Sequence, residues 1–331
     1  VDAGKAKTEF EDAASKELIL SAADIFQVAE RSGWDALSGV MSREWNAQPL
    51  SATLNNLYIG LGGINSSAQL APEFLPKIKP SNYIGLKWDQ HLTSMTNDPS
   101  AGYWLDGLPG VIDPRAYKAF IIPGDFTNPN FSFYPSWTND ARTVKRNLVD
   151  ASGNVVLTFD GTYTWNAASL GNWGTKSAQN QISFYTGTIP RLSQQFRGSA
   201  SKRIFFAPWE TYFLLAEGAV RGWKTPVNGK TAYENGIKAS FDYWGVSQFA
   251  NEYLQSESYN RTGTSVKWDH QAEPPATVVM NYVNGYTNEP GTMTFKYPEN
   301  HLYKNGTVKN DLLTKVITQK YIAQLPWAPM E

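Results

Sequence analysis

The stretch that decides the fold is RIFFAPWETYFLLAEGAVRGWKTPVNGKTAYENGIKASFDYWG, residues 203–245. Pro208 suits the first turn of a helix, and Gly222 suits the left-handed end of one. Apolar residues recur after Pro208 at helical spacing: Trp209, Tyr212, Phe213, Ala216, Ala219, Val220 and Trp223. After the breakers in KTPVNGK, Thr231 and Glu234 have the spacing of a capping box at the start of a second helix. The stretch therefore predicts a helical hairpin about as long as one tetratricopeptide repeat, roughly 34 residues.

The second helix of this hairpin also has one apolar face. Its members are Tyr233, Ile237, Ser240, Phe241 and Trp244. Gly236 and Ala239 are small enough to let the two helices approach closely. We therefore expect Trp209, Trp223 and Trp244 to lie in the core rather than in a binding site.

Three motifs resemble one known family. ETYFLLAEGAVRGW and AYENGIKASFDYWGV lie in the hairpin, and VITQKYIAQLPWAPME closes the chain. In this order they resemble the SusD/RagB family, in particular its second SusD-like branch, over residues 203–331. The resemblance implies a nutrient-binding lipoprotein of the Bacteroidetes outer membrane. It also implies a surface-exposed lid over a SusC-like TonB-dependent transporter, with an oligosaccharide or a peptide as ligand and binding without chemistry.

The resemblance further leads us to expect a lipid anchor, but the chain has no cysteine to carry one. Relatives also continue beyond Glu331. We therefore expect the sequence to be part of a longer precursor, with residues missing at both ends and the anchor outside this chain.

Composition limits the function classes. The chain has 331 residues, a formal net charge of -1 and 18% charged residues, so it lacks the basic field of a nucleic-acid-binding protein. The absence of cysteine excludes disulfides, thiol nucleophiles and zinc–thiolate sites within it. Aromatic residues reach 14%, with 12 Trp and 17 Tyr. Two interpretations stay open for each aromatic side chain: it fills the core, or it stacks on a sugar ring.

Elsewhere the pattern predicts further helices between irregular regions. Helices are expected over residues 8–31, 50–61 and 83–96, near Phe249 to Leu254, and after a cap at Asn310 up to Pro326. Residues 97–143 and 257–306 are predicted to be irregular. The expected fold is mainly α, a single SusD-like domain over residues 1–331. Residues 1–96 and 203–331 form its tetratricopeptide-like helical scaffold, and residues 97–202 a ligand region of loops and one β-hairpin.

That hairpin is predicted from NVVLTFDGTYTW, because Asp160-Gly161 suits a two-residue turn. In this register Tyr163 and Trp165 share a face with Val156, which leaves the two rings as a possible exposed platform. Trp173 follows among glycines and amides, an arrangement typical of a sugar-stacking loop or of a lid packed on the hairpin. Trp104 and Trp137 lie in the aromatic-rich region 97–143, which also holds Tyr117 and Phe120. The five candidate stacking residues are Trp104, Trp137, Tyr163, Trp165 and Trp173.

Motifs for catalysis are absent from the sequence. It holds no nucleophile elbow, zinc-protease motif, phosphate-binding loop or dinucleotide fingerprint, and its three histidines are scattered. No cofactor is expected, although Asp98, Asp106 and Asp113 leave a structural calcium ion open. Three hypotheses remain, and the first is a glycan-binding lid. The second is a lid for peptides or another nutrient, or a mainly structural subunit of an outer-membrane complex. The third is a glycosidase, which needs two facing carboxylates.

Overall fold

The structure is a computed structural model of the 331-residue chain. It describes residues 2–29, 49–87, 103–131, 144–149, 152–167, 188–196, 201–285, 287–298 and 304–327. The α-helices are α1 Ala3–Ala14, α2 Ala52–Tyr58, α3 Ala116–Ala119, α4 Pro208–Val220, α5 Gly229–Trp244, α6 Ala250–Gln255 and α7 Leu312–Gln324. The strands are β1 Phe26–Ala29, β2 Tyr83–Lys87, β3 Tyr103–Trp104, β4 Phe120–Ile121, β5 Lys145–Val149, β6 Val155–Asp160, β7 Arg191–Leu192, β8 Lys202–Phe206, β9 Thr277–Asn284 and β10 Pro290–Lys296.

The predicted helical hairpin is confirmed as α4 and α5. Pro208 opens α4, and Gly222 follows it with a left-handed φ of 75°. The helices pack closely at Gly236, where a Cβ atom would come within 2.8 Å of the Phe213 ring. The capping box is wrong, because α5 begins earlier: the Asn228 side chain accepts a hydrogen bond from the Thr231 amide at 2.8 Å. An asparagine at the turn supplies this cap before the chain reaches Thr231.

Helix α7 packs against both helices of the hairpin and completes the core. Val316 of α7 is fully buried, and so are Phe213 of α4 and Phe241 of α5. Trp209 and Trp244 are buried as expected, at 2% and 7% exposure. Trp223 is only half-buried and packs on the Phe10 ring of α1 at 5.1 Å between centroids. The mainly α class is therefore confirmed.

The strands form small sheets at the edges of the helical core. β10, β9, β2 and β3 form a four-stranded sheet in that order, with β2 and β9 parallel. β1 pairs with β8, β4 with β7 and β5 with β6. Two of these pairings, β1 with β8 and β2 with β9, link the first hundred residues to the C-terminal half.

Two predicted helices are wrong in whole or in part. The helix over residues 8–31 is replaced by α1, which begins at an Asp2 cap and ends at Ala14. Beyond it Ile25, Phe26 and Val28 favour extended backbone, and Phe26–Ala29 pairs with β8. The helix over 83–96 begins instead as β2, where Gly85 has a φ of 115° that excludes a helix. Residues 88–96 lie outside the described part.

The C-terminal predictions are mixed. The short helix near Phe249 to Leu254 is confirmed as α6, and α7 ends before Pro326 as expected. The region 257–306 is not irregular throughout, because β9 and β10 form an antiparallel hairpin within it. Asp311 caps α7 instead of Asn310. Asn310 is used otherwise: its side-chain oxygen accepts from the Ser265 amide at 2.8 Å.

The hairpin predicted around Asp160-Gly161 is wrong. β6 pairs with the strand before it, and Asp160 faces Lys145 in that register. The chain turns at Gly153, with a φ of 91°, rather than at Gly161. After β6 the Asp160 carboxylate accepts from the Thr162 amide at 2.9 Å, which folds the chain into a turn and ends the strand.

Candidate functional site

A cleft of about 170 Å³ lies between three segments of the chain. Residues 68–74 form one side, residues 114–128 the second, and residues 246–249 the third. It combines aromatic rings with amide and charged side chains, which is the composition expected of a sugar-binding site. Its volume is small beside the roughly 300–1,000 Å³ of drug-sized pockets, so it suits one ring or one end of a longer ligand.

Four aromatic rings line the cleft. Phe74 comes from the short helix Pro72–Lys77, Tyr117 from α3, Phe120 from β4 and Phe249 from the turn before α6. Phe74 and Phe120 are buried at 7% exposure each. Tyr117 and Phe249 are half-buried, so each can show part of a ring face to a ligand.

Tyr117 is fixed from two sides. Its hydroxyl lies 2.8 Å from Ser66 Oγ, which itself donates to the Pro109 carbonyl. Since the Ser66 proton is used there, the Tyr117 hydroxyl donates to Ser66. Burial raises the pKa of Tyr117, so the phenol stays neutral. The ring meets Trp165 edge-on at 4.9 Å between centroids, which fixes its plane.

Polar side chains complete the lining. Gln69 donates through Nε2 to the carbonyls of Ile64 and Ile112, at 3.2 and 2.9 Å. Its Oε1 is buried and meets no partner in the described part of the chain. Asn128 Nδ2 donates to Asp125 at 3.2 Å.

Two more polar side chains are exposed at the cleft, Lys118 and Gln248, and neither has a hydrogen-bonding partner among the residues described. They are therefore free to bind a polar ligand.

Two of the five predicted stacking residues lie behind this cleft. Tyr163 is half-buried and packs against Phe74 in a tilted arrangement, with 4.6 Å between the ring centroids. Trp165 is fully buried, and its indole N–H donates to Asn55 Oδ1 at 3.0 Å. The expected exposed platform is therefore wrong for Trp165. The physical reason is that residues 161–167 form no strand, so the two rings turn inward and support Phe74 and Tyr117.

The other three predictions fall wholly or partly outside the described residues. The backbone of Trp104 pairs with Leu86 at the edge of the four-stranded sheet, and its side chain is not described. Trp137 and Trp173 lie outside the described residues. Their roles as stacking residues stay predictions.

Sequence reasoning missed most residues that line the cleft. Tyr117 and Phe120 belong to the aromatic-rich region that drew attention, but tryptophans were preferred there. Phe74 lies outside every predicted helix, between residues 50–61 and 83–96, and Phe249 lies in the predicted short helix. Gln69 and Gln248 carry no sequence signal at all, because only the fold brings them to the cleft.

The described carboxylates are arranged neither as a catalytic acid pair nor as a metal site. Asp125 is the one carboxylate among the described lining residues, so that part of the cleft lacks the acid pair of a glycosidase. Asp113 binds Arg115 at 2.6 Å, and Asp106 accepts from Tyr83 at 2.6 Å, whereas Asp98 is not described. Across the described ranges no three His, Asp or Glu side chains gather as metal ligands.

A second cavity is larger, about 430 Å³, and lies beside α7. Its described lining includes Leu57, Val308, Leu313, Ile317, Thr262 and Thr318. No aromatic ring belongs to that described lining. The smaller cleft is therefore the better match to sugar-binding chemistry.

Comparison with known proteins connects the chain to one family. The family model described as SusD-like, "Susd and RagB outer membrane lipoprotein", matches residues 173–329. The resemblance stated from the sequence motifs is thereby confirmed over this range. No curated protein matches the chain. Within the residues described, no helix is both long and apolar enough to cross a membrane.

Two solved structures illustrate the similarity. A SusD homolog from Parabacteroides distasonis ATCC 8503 matches 98% of this chain and 46% of its own, at 21% identity and a TM-score of 0.56. A chitin-binding SusD homolog from Flavobacterium johnsoniae matches 97% of this chain and 43% of its own, at 19% identity and a TM-score of 0.43. The first similarity shows the fold. The chain spans less than half the length of either protein.

Proposed function

We propose that this chain, SusD-like over residues 173–329, binds a nutrient glycan and acts as the surface lid of a TonB-dependent outer-membrane transporter. The observation that carries the glycan part is the cleft, where Tyr117 and Phe249 offer ring faces beside the amides of Gln69, Asn128 and Gln248. Aromatic faces stack on the apolar faces of pyranose rings, and amides bond their hydroxyls. No group in the described cleft is arranged for chemistry, so the function is capture and release.

The transporter and the membrane location are proposed on the family match alone. In this proposal a lipid anchor outside the sequence holds the protein at the outer face of the outer membrane. The cleft then holds one end of an oligosaccharide until the transporter takes it.

Calorimetric titration with a panel of neutral oligosaccharides, including malto-, xylo- and chito-oligomers, tests the glycan part. Phe249→Ala removes one exposed ring face and Gln248→Ala removes one amide. We expect each to weaken binding about 3- to 10-fold, the size of one stacking contact or one hydrogen bond. Phe205→Ala and Gln255→Ala are the matched controls, because both residues are exposed and neither lines the cleft.

The alternatives correspond to other outcomes of the same titration. Binding of short peptides but of no oligosaccharide would replace the glycan by a peptide ligand. If no compound binds but the tagged chain co-purifies with a TonB-dependent transporter from outer membranes, the protein is a structural subunit. Glycan binding that is unchanged in both cleft variants would move the site elsewhere, Trp104, Trp137 and Trp173 being the next residues to replace.

A further inference from the structure

A buried arginine lies directly behind the cleft. Arg115 is fully buried, and its guanidinium makes a two-pronged contact with Asp113: Nε lies 2.9 Å from Oδ1 and Nη2 lies 2.6 Å from Oδ2. Nη1 donates to Ser240 Oγ at 3.1 Å. Gln319 Oε1 at 2.8 Å and the Tyr253 hydroxyl at 3.0 Å also accept from Nη2, whose two hydrogens are shared among these two acceptors and Asp113.

These contacts connect one loop to three helices. Ser240 belongs to α5, Tyr253 to α6 and Gln319 to α7. The Tyr253 hydroxyl donates to Asp113 and accepts from Gln319 Nε2 at 2.9 Å, so the partners of Arg115 also bind one another. The guanidinium further lies 5.0 Å from the centre of the Phe241 ring. Every polar side chain of this network is hydrogen-bonded to at least one other member of it.

The loop that this network holds is the wall of the cleft. Pro114, Tyr117 and Lys118 all line it, and they flank Arg115 in sequence. Helix α3, Ala116–Ala119, is a single turn, too short to be stable by itself. The Asp113 carboxylate also accepts from the Arg115 amide at 2.9 Å, which fixes the start of that turn.

Stability alone does not account for such a pair. Taking two charges out of water costs about as much as their attraction returns, and apolar replacements of both partners are often as stable. An apolar pair would lack directional hydrogen bonds, whereas a guanidinium donates to Ser240, Gln319 and Asp113 at fixed angles. A cleft wall made of one helical turn needs such directional contacts to hold its side chains in place.

We propose that Arg115 is a positioning residue, which sets the place of Tyr117 and Lys118 in the cleft wall. This inference rests on the proposed function as far as ligand affinity is concerned. Its structural part, the place of the Tyr117 ring, stands without it. The arginine touches no ligand and acts through the turn that it anchors.

The test compares Arg115→Met with the double variant Asp113→Leu/Arg115→Met. We expect Arg115→Met to lose stability, because it leaves the Asp113 carboxylate buried without its partner. The double variant regains most of that stability. It does not restore the position of Tyr117 in the cleft wall. The ¹⁹F resonance of 3-fluorotyrosine at Tyr117, which is assigned by comparison with Tyr117→Phe, stays displaced. Affinity for an oligosaccharide from the panel stays about tenfold weaker. Arg221→Met is the matched control, since Arg221 also pairs with a carboxylate, Glu217 at 2.7 Å, but is exposed.

A double variant with both wild-type stability and a wild-type Tyr117 resonance overturns the proposal. Tyr253→Phe supplies a second reading if that variant does not fold, because it keeps the ring and removes only the hydroxyl shared by Asp113, Arg115 and Gln319. We expect a folded protein with a displaced Tyr117 resonance, and an unmoved resonance contradicts the inference. If wild-type protein binds no compound of the panel, the proposed function fails, and the resonance still decides the role of Arg115.

Discussion

Two buried cations attach loops to helix α7, and their surroundings differ. Arg115 lies against a carboxylate, with Asp113 Oδ2 at 2.6 Å, and reaches α7 through Gln319. Among the described residues Lys315, on α7 itself, meets only neutral acceptors: the Ser265 carbonyl and Oγ at 2.7 Å each, and Asn310 Oδ1 at 2.8 Å. Both side chains are buried, so the difference lies in the charge of the partner rather than in solvent.

This difference decides how each loop responds to pH. Burial lowers the pKa of Arg115, but the charge and hydrogen bond of Asp113, together with the Tyr253 and Tyr58 hydroxyls, more than offset it and leave that pKa raised. The guanidinium is therefore charged at every pH of interest. Burial lowers the pKa of Lys315 to about 7, and the charges of Glu273 and Asp311 raise it only in part. The loop behind the cleft is thus held by a permanent charge, and the loop at Ser265 by a group that titrates near neutrality.

The largest expected effect comes from Asp113→Ala. It leaves the Arg115 guanidinium buried without a carboxylate, which typically costs about 3–5 kcal/mol of unfolding free energy. Urea unfolding at pH 7.5 measures it. Asp269→Ala, which breaks the exposed pair with Lys230, serves as the control and should leave the midpoint unchanged. A loss of stability no larger than that of Asp269→Ala would contradict the view that a carboxylate partner sets Arg115 apart from Lys315.

Lys315→Met is expected to cost less. It removes the donor shared by three buried acceptors, of which Asn310 Oδ1 keeps the Ser265 amide, and it strands no charge, so the loss at pH 9 is about 1–3 kcal/mol. The same urea series at pH 9 measures it, with Lys320→Met as the control because Lys320 is the next lysine on α7 and is only half-buried. A cost above that of Asp113→Ala would mean that the hydrogen bonds of the neutral Lys315 amine contribute more to stability than the Asp113–Arg115 charge pair does.

The third prediction concerns the pH dependence itself. Because the pKa of Lys315 is lower in the folded protein than its ordinary 10.5, the unfolded chain binds more protons between about pH 7 and 10.5, and stability rises with pH in that window. The slope is at most about 1.4 kcal/mol per pH unit. Lys315→Met should flatten it, whereas Arg115→Met should not.

The measurement spans pH 7.5 to 9. Above it the tyrosines of the unfolded chain ionise, and burial raises the pKa of Tyr58, Tyr233 and Tyr253 in the folded protein, which lowers stability. His270 Nδ1 lies 2.9 Å from the same Ser265 Oγ, so His270→Gln serves as the control. If the slope disappears in His270→Gln and persists in Lys315→Met, the titrating group is the histidine.

What the sequence could predict depends on whether a feature is set by local or by distant residues. α4, α5 and α7 were predictable because each is set locally, by apolar spacing and by Pro208, Gly222 and Pro326 at the ends. Both buried clusters depend on distant residues: Arg115 meets Ser240 and Gln319, which lie 125 and 204 positions away. No periodicity reports such a contact.

The candidate site was predictable only in composition. An aromatic-rich segment with polar loops pointed to the right part of the chain, and Tyr163 and Trp165 do lie beside the cleft. Their orientation was missed, because the partner that buries Trp165 is Asn55, 110 residues earlier. Alternation along a presumed strand also favoured the wrong face, since β6 pairs with β5 and ends at Asp160.

The smallest expected effects come from two buried serines, one beside each cation. Ser240→Ala removes one of several acceptors of Arg115, and we expect a loss of about 1 kcal/mol that does not change with pH, because the guanidinium is always charged. Ser265→Ala removes one of three acceptors of Lys315. Its cost should be larger at pH 6.5 than at pH 8.5, because a hydrogen bond to a charged ammonium is about twice as strong as one to a neutral amine. Repeating Ser265→Ala in the Lys315→Met background isolates the pair: the pH dependence should vanish there, and its persistence would assign it to His270 instead.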